Sequence, residues 1–176
     1  MPTLYLAGYG NSEPLHWQTL WHRAEPGSLW LEHRSWDQPE AGEWVEDLTR
    51  AQGNHPGSWD VVAHSLGCLL VSEALLRAGS VRIRRAFLVA VPEPTRSDFP
   101  KAIRGFTDPF QVKLSFPTLI VASRTDPYGR FAFSERLAGH WGSGLVDAGE
   151  KGHLNLASGL GAWDEGRRLR DGFLGG

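Results

Sequence analysis

One serine of this chain lies in a setting that makes its hydroxyl a candidate nucleophile. Ser65 stands in the segment AHSLG, where one apolar run ends and a longer one of helical length begins. In a tight strand-to-helix turn, small residues two positions away on each side leave room for the backbone and lift the hydroxyl above the sheet. The first of these is Ala63, where the common motif has glycine. The pattern predicts a nucleophile; the alternative role for Ser65 is a simple N-cap.

A serine nucleophile needs a base next to it, because a hydroxyl is weakly nucleophilic at neutral pH. Histidine suits this role, since the ordinary pKa of imidazole is about 6.5. Of the seven histidines, His153 is best placed, because it follows Gly152 in a loop after the last predicted strand. The alternative for His153 is an ordinary surface histidine. His64 is nearer in sequence, but adjacent side chains at a strand end point to opposite sides, so we expect its ring to point away from the Ser65 hydroxyl.

The base in turn needs a carboxylate that orients it. Asp126 follows the fifth predicted strand in the segment ASRTDPYG, although an aspartate before Pro127 is also a good start for the next helix. Asp108, Asp147 and Glu150 are the rival acids. With Asp126, the three residues follow three different strands in the order Ser, Asp, His. This is the order of α/β-hydrolases, and it differs from both main serine-protease orders.

Two backbone amides are candidates for an oxyanion hole. The N–H of Leu66 begins a predicted helix, where the helix dipole favours negative charge. The second donor is expected from the loop after the first strand, AGYGN, and we assign it to the N–H of Tyr9. A plain tight turn is the alternative for this loop, which lacks the third glycine and the lysine of nucleotide-binding loops. His16, shortly after the loop, is a candidate to line the substrate pocket.

Apolar runs alternate with longer segments of helical character along the chain. The middle runs are continuous rather than alternating in polarity, which is typical of parallel strands covered on both faces. We therefore expect one domain over residues 1–176, a three-layer α/β/α sandwich with a mostly parallel sheet. The predicted strands are 3–7, 28–32, 59–64, 85–91, 118–123 and 145–148, and the predicted helices are 13–23, 39–52, 66–78, 128–140 and 160–173.

Composition argues against several other classes of protein. The net charge is −2, so we expect no nucleic-acid partner. No apolar run approaches the roughly 20 residues of a membrane helix, and no signal peptide is evident, so we expect a cytoplasmic protein without a membrane partner. Cys68 is the single cysteine, which allows no internal disulfide and makes a thiol enzyme a disfavoured alternative. We expect no cofactor and no metal, because His, Cys and carboxylates are not clustered at ligand spacing.

Four segments in this order resemble the motifs of a known family: LAGYGNSEPLHWQ, VAHSLGC, ASRTDPYG and GHLN. They are similar to those of the small serine hydrolases that include retinoblastoma-binding protein 9 and the bacterial YdeN-like proteins. The resemblance implies a compact α/β-hydrolase fold without the usual first strands, with Ser65, Asp126 and His153 as its triad. It also implies that Trp17 lies close to the site, where we expect it to contact the substrate. The chain has Leu70 at the glutamate position of the Leu-x-Cys-x-Glu motif, so we expect no retinoblastoma-type interaction.

The segment 92–117 lies where α/β-hydrolases often carry a lid, and here it is short. Its phenylalanines could cover an acyl group, in particular Phe106 and Phe110, or they could pack the segment against the sheet together with Phe99 and Phe116. We expect a small-molecule acyl substrate, either an ester or a related amide or thioester, and a monomer or weak homo-oligomer. The alternative is a catalytically silent binding protein that has kept the fold, because a fold does not guarantee a function.

Overall fold

A six-stranded sheet forms the centre of the computed structural model, which describes residues 2–175. Each neighbouring pair of strands is parallel, and the strand order is β2-β1-β3-β4-β5-β6. The strands are Thr3–Leu6 (β1), Leu29–Trp30 (β2), Trp59–His64 (β3), Ile83–Val89 (β4), Thr118–Ala122 (β5) and Gly144–Asp147 (β6). The helices are Trp17–Arg23 (α1), Ala41–Gly53 (α2), Leu66–Ala78 (α3), Phe131–Trp141 (α4) and Asp164–Gly175 (α5).

Two apolar cores lie on opposite faces of this sheet. Leu4 and Leu6 of β1 belong to the larger core, with buried residues of α2, α3 and α4. Tyr5, between them, belongs to the smaller core, which α1 and α5 cover. Successive strand side chains alternate between faces, so a strand that is apolar throughout must be covered on both. The predicted three-layer α/β/α fold class is therefore confirmed.

Several element boundaries differ from the predicted ones. Helix α1 begins at Trp17 rather than at residue 13, because Glu13 and its neighbours form a turn in which the His16 N–H bonds the Glu13 carbonyl. Helix α4 begins three residues later than predicted, and α5 four residues later. A positive φ of 46° at Trp163 ends the preceding turn just before α5. None of the helices within residues 2–175 combines the length and apolarity needed to cross a bilayer.

Helix α3 lies against the carboxyl end of β1, with backbone facing backbone. A Cβ added at Gly67 would overlap the Leu6 carbonyl oxygen and lie 2.7 Å from that of Ala7. Only glycine leaves room for this approach. The contact fixes the start of α3, and with it the turn at Ser65, against the edge of the sheet where the first loop begins.

Replacing this glycine tests the approach. We expect Gly67→Ala to lower the free energy of unfolding by about 2–3 kcal/mol or more, because the added methyl group meets fixed carbonyl oxygens. The measurement is urea denaturation followed by circular dichroism. Gly172→Ala is the matched control, since Gly172 is exposed on α5 and its added Cβ meets nothing within 4 Å. That variant should gain about 0.5–1 kcal/mol. Equal stability of the two variants would contradict the proposed packing.

Candidate active site

The backbone at Ser65 has a conformation that L-residues rarely adopt. Its φ is 53° and its ψ is −124°, between the last residue of β3 and the first of α3. The Ser65 N–H donates to the Val89 carbonyl at 2.9 Å, which ties the turn to β4. Ser65 occupies the N-cap position of α3, yet its side chain makes no capping hydrogen bond. The strained turn therefore presents the hydroxyl at the carboxyl edge of the sheet rather than to the helix.

A chain of hydrogen bonds joins Ser65, His153 and Asp126. The Ser65 Oγ lies 2.8 Å from His153 Nε2. The other ring nitrogen, Nδ1, lies 2.9 Å from each carboxylate oxygen of Asp126. A carboxylate only accepts hydrogen bonds, so Nδ1 carries the proton and Nε2 is left free to accept the hydroxyl proton. Both His153 and Asp126 are buried. Chemically, this arrangement can draw a proton from Ser65.

Two side-chain hydroxyls hold the loops after β5 and β6 together. The Ser123 Oγ accepts the Lys151 N–H at 2.9 Å, and the Thr125 Oγ1 accepts the Gly152 N–H at 3.0 Å. Asp126 itself accepts the Tyr128 N–H at 2.9 Å, an Asx turn that fixes its carboxylate. Asp126 does not cap α4, although its position before Pro127 in the sequence also allowed that role. The loops are thus joined on both sides of the Asp126–His153 contact.

Trp17 and His64 hold the loop that carries His153 from the interior of the protein. The Trp17 Nε1–H donates to the Leu154 carbonyl at 2.8 Å, and His64 Nε2 lies 3.0 Å from the His153 carbonyl oxygen. Burial lowers the pKa of His64 well below its ordinary value, so the ring is neutral and Nε2–H is the donor. Trp17 is close to the site, as the resemblance implied. Its predicted contact with the substrate is corrected, because the indole is fully buried behind the loop.

The rival acids are engaged elsewhere. Asp108 accepts the Phe110 N–H at 3.1 Å and caps a short 3-10 helix, Pro109–Gln111. Asp147 pairs with Arg124 at 2.7 Å on the surface. Glu150 is exposed.

The loop after β1 lies directly against the turn at Ser65. A Cβ added at Gly8 would lie 2.8 Å from the Ser65 Cβ and 3.3 Å from the Leu66 nitrogen. Glycine at this position lets the next residue, Tyr9, join Leu66 at the wall of one cleft with Ser65. Within residues 2–175, neither amide of the two has a hydrogen-bond acceptor. Both are therefore available to a negatively charged oxygen formed above Ser65.

A cleft of about 210 Å³ opens above Ser65 and His153. Its far wall is apolar and consists of Pro92, Phe99, Pro100, Ile103 and Tyr128. Neither Ile103 nor Tyr128 was predicted from the sequence to line a cleft. Tyr128 packs edge-on against the His153 ring with centroids 4.6 Å apart. The sequence held one signal for this role: Tyr128 stands two residues after Asp126, in the same loop at the end of β5.

The prediction that Phe106 and Phe110 cover the substrate is wrong, because neither side chain lines the cleft. Phe106 packs edge-on against Trp44 and Phe110 against Phe133, both in the larger core. The Thr107 hydroxyl donates to the buried Glu73 carboxylate at 2.7 Å, which turns this part of the segment inward. The alternative prediction, that Phe106 and Phe110 are packing residues, describes their positions.

His16 lies at a second, smaller space beside Ser65. This recess measures about 90 Å³, and Asn11, His153 and Asn155 also contribute to its wall. The His16 side chain is 2% exposed. Its position agrees with the prediction that it lines a pocket next to the serine.

Cys68 lies in α3 and is fully buried, with its thiol directed to the Val89 carbonyl at 3.4 Å. Burial raises the pKa of this thiol, so the reactive thiolate is disfavoured. In the part of the chain that the structure describes, no three His, Cys, Asp or Glu side chains are grouped to hold a metal ion.

Comparison with known proteins agrees with this geometry. A sequence model described as serine hydrolase matches residues 3–171. The chain belongs to this serine hydrolase family. It is similar to the structure of a YdeN-like hydrolase from Pectobacterium atrosepticum, with 32% identity, a TM-score of 0.83, and coverage of 97% of this chain and 90% of the other. The predicted family is confirmed.

Further solved structures share the fold at lower identity. The ydeN gene product from B. subtilis matches with 21% identity, a TM-score of 0.81, and coverage of 99% of each chain. A thermophilic esterase from Thermogutta terrifontis matches with 14% identity and a TM-score of 0.66, covering 98% of this chain and 90% of the other. No curated protein sequence shows significant similarity. The serine hydrolase therefore has the predicted α/β-hydrolase fold.

The buried histidines of the site predict a specific sensitivity to acid. Burial, and to a smaller extent the nearby His153 ring, lower the pKa of His16 from 6.5 to about 4. In the unfolded chain the His16 imidazole takes up a proton near pH 6.5, whereas in the folded protein it stays neutral at this pH. Stability is therefore lost as the pH falls through this range. We expect His16 to account for about 2 kcal/mol of lost stability between pH 7 and pH 5.

Urea denaturation at pH 7 and pH 5 measures this loss. His16→Asn is the comparison, because asparagine keeps an N-cap acceptor for α1 but cannot titrate in this range. The variant should lose less stability between the two pH values than the wild-type protein. Equal losses would show that His16 accepts a proton in the folded state as readily as in the unfolded chain.

Proposed function

We propose that this serine hydrolase cleaves small acyl esters through a triad of Ser65, His153 and Asp126. The observation that carries the proposal is the unbroken hydrogen-bond chain from the Ser65 hydroxyl through both His153 nitrogens to the Asp126 carboxylate. The strained backbone at Ser65 adds weight, because such a conformation persists only when its surroundings enforce it, and it clusters at functional sites.

In the first half of the proposed reaction, His153 Nε2 removes the Ser65 proton while Oγ attacks the acyl carbonyl carbon. The carbonyl oxygen becomes negatively charged and accepts hydrogen bonds from the amides of Leu66 and Tyr9. Asp126 stays ionised and stabilises the imidazolium. The tetrahedral intermediate then collapses: the bond to the leaving oxygen breaks, and His153 donates its proton to that oxygen. An alcohol leaves, and the acyl group remains on Ser65.

In the second half, water takes the place of the alcohol. His153 removes a proton from the water, whose oxygen attacks the acyl carbon, and the same two amides bind the oxyanion. Collapse of this intermediate breaks the bond to Ser65 Oγ, which regains its proton from His153. The carboxylic acid leaves, and the enzyme is restored. No other reactant is consumed.

The cleft limits the acyl group that fits. Its volume of about 210 Å³ and its apolar far wall suit a short acyl chain rather than a long lipid chain. Because the part of the segment 92–117 that carries Phe106 and Phe110 turns inward, only Pro92, Phe99, Pro100 and Ile103 of this segment line the cleft. Amides and thioesters of the same acyl size can follow the same two steps.

The first test is covalent labelling with a fluorophosphonate, a probe that reacts with activated serines. We expect labelling at Ser65, located by peptide mass spectrometry, and its loss in Ser65→Ala, together with a fall in esterase activity of at least roughly 10³-fold. Cys68→Ala is the control, since it removes the only thiol and should keep both labelling and activity. Full activity in Ser65→Ala would contradict Ser65 as the nucleophile. Folded wild-type protein that the probe does not label and that hydrolyses no ester would favour the silent binding protein.

The role of the carboxylate is tested separately. Asp126→Asn preserves shape but favours the wrong imidazole tautomer, so kcat should fall by roughly 10³–10⁴-fold with little change in fold. The matched control is Asp147→Asn, which alters the last residue of β6, an aspartate that pairs with Arg124 on the surface. Its kcat on a butyrate ester should stay within about twofold of the wild-type value. Similar losses in both variants would argue against Asp126 as the orienting acid.

A further inference from the structure

Tyr128 stands where three spaces around the site meet. It lines the apolar cleft of about 210 Å³ above Ser65. Next to it lie a pocket of about 180 Å³, which we call the outer pocket, and a polar groove of about 530 Å³. Of the described residues that line the cleft, Tyr128 alone also lines both of these neighbouring spaces. The tyrosine therefore stands between the cleft and the space around it.

The backbone on both sides of Tyr128 is held in place. Its N–H donates to the Asp126 carboxylate at 2.9 Å, and its carbonyl oxygen accepts the Glu93 N–H at 2.9 Å. A Cβ added at Gly129 would overlap the Val91 carbonyl oxygen, so this stretch lies directly against the loop after β4. The start of the tyrosine side chain is thus fixed relative to the cleft.

The ring of Tyr128 packs on one neighbour and is otherwise open to the surrounding spaces. It lies edge-on to the His153 ring, with centroids 4.6 Å apart. The residue is 49% exposed. Within residues 2–175 its hydroxyl makes no hydrogen bond, and only its backbone N–H is paired with the neighbouring Asp126. The ring therefore acts as a wall of the cleft, and the hydroxyl is not needed to hold it there.

The outer pocket could take an alkyl chain if this wall were absent. Phe99, Pro100 and Pro127 contribute apolar surface to it. Its two charged residues, Arg96 and Asp98, pair with each other at 2.7 Å, so they hold no unpaired charge toward a ligand. The groove suits such a chain less well, because hydroxyl and charged side chains line much of it.

An apolar surface continues from the cleft into the outer pocket. Phe99 and Pro100 line both spaces. An acyl chain that is bound at Ser65 along this surface meets the Tyr128 ring at the boundary between them. Each methylene that stays unburied forgoes roughly a fourfold gain in kcat/KM. Chains long enough to cross the boundary therefore gain nothing from their extra length.

We propose that Tyr128 is a specificity-determining residue, which closes the cleft toward the outer pocket and thereby restricts the enzyme to short acyl groups. This inference rests on the proposed function. A butyryl chain stays within the cleft, whereas the end of an octanoyl chain would have to pass the tyrosine ring.

The p-nitrophenyl esters of butyrate and octanoate provide the first test, because they share one leaving group. Both are used below the concentration at which the octanoate aggregates. We expect kcat/KM of the wild-type enzyme to favour the butyrate by roughly tenfold, since the longer chain is not accommodated. An equal or higher value for the octanoate would overturn the proposal without any variant.

Tyr128→Ala removes the wall. The ratio of kcat/KM for octanoate over butyrate should rise at least roughly tenfold relative to the wild-type ratio, because the additional methylenes become buried. Tyr128→Phe is the matched control: it keeps the ring, loses a hydroxyl that bonds no other described residue, and should keep the wild-type ratio. A general loss of activity from weaker support of His153 cancels in this ratio. An unchanged ratio in Tyr128→Ala would overturn the assignment.

Tyr128→Leu is a second truncation, which keeps an apolar contact with His153 and serves if the alanine variant does not fold. Its side chain is shorter than the tyrosine ring, so the octanoate-to-butyrate ratio should rise by a smaller amount, roughly threefold. A ratio that stays at the wild-type value in this variant would also contradict the proposal.

Ala157→Trp distinguishes the outer pocket from the groove. Ala157 is exposed and lines the groove, but it lines neither the cleft nor the outer pocket. Added to Tyr128→Ala, this substitution should leave the raised ratio unchanged. A return to the wild-type ratio would show that the chain enters the groove, and the proposed closure toward the outer pocket would be wrong. Failure of the proposed function looks different: no ester would then be hydrolysed in a manner that depends on Ser65, and the fluorophosphonate would not label it.

Discussion

The close approach of α3 to the end of β1 is the contact on which the site depends. Gly67 brings the first turn of the helix against the carbonyl oxygens of Leu6 and Ala7, and Gly8 brings the following loop against Ser65. These two contacts restrict the backbone at Ser65 to a positive φ. The same packing that strains the serine also places the amides of Leu66 and Tyr9 beside it. The proposed nucleophile and the two proposed oxyanion donors thus depend on one backbone arrangement.

The other half of the site depends on buried polar groups that stay neutral. His64 supports the His153 carbonyl, and Trp17 supports that of Leu154, so the loop after β6 is held from the interior of the protein. Because the two imidazoles at positions 16 and 64 are buried beside His153, protonating them is unfavourable. A neutral ring has one N–H donor and one acceptor nitrogen, and the hydrogen bond at one nitrogen determines the role of the other, so each hydrogen bond has a fixed direction. The precision of the site follows from this shielding.

The two sides of Ser65 differ because different elements supply them. The segment between β4 and β5 contributes aromatic and aliphatic side chains to the cleft, while the turn before α1 contributes His16 and Asn11 to the recess. The apolar wall and the polar wall beside Ser65 thus come from separate loops.

The fold class could be predicted from the sequence, and so could the grouping of Ser65, Asp126 and His153, because both predictions rest on local patterns. Continuous apolar runs require a sheet covered on both faces, and a small-x-Ser-x-Gly turn is a local backbone requirement. Parallel strands also bring their carboxyl ends to one edge, so residues after β3, β5 and β6 were expected along the same edge of the sheet.

Only the tertiary structure decided which aromatic side chains reach the cleft. Phe99 and Phe106 are only seven residues apart in one irregular segment, and nothing in their spacing shows that the hydrogen bond from Thr107 to Glu73 turns the second inward. The role of Trp17 as a support for the His153 loop was likewise invisible in the sequence. These features depend on contacts between distant residues, and such contacts are set by packing of the whole chain rather than by any local pattern.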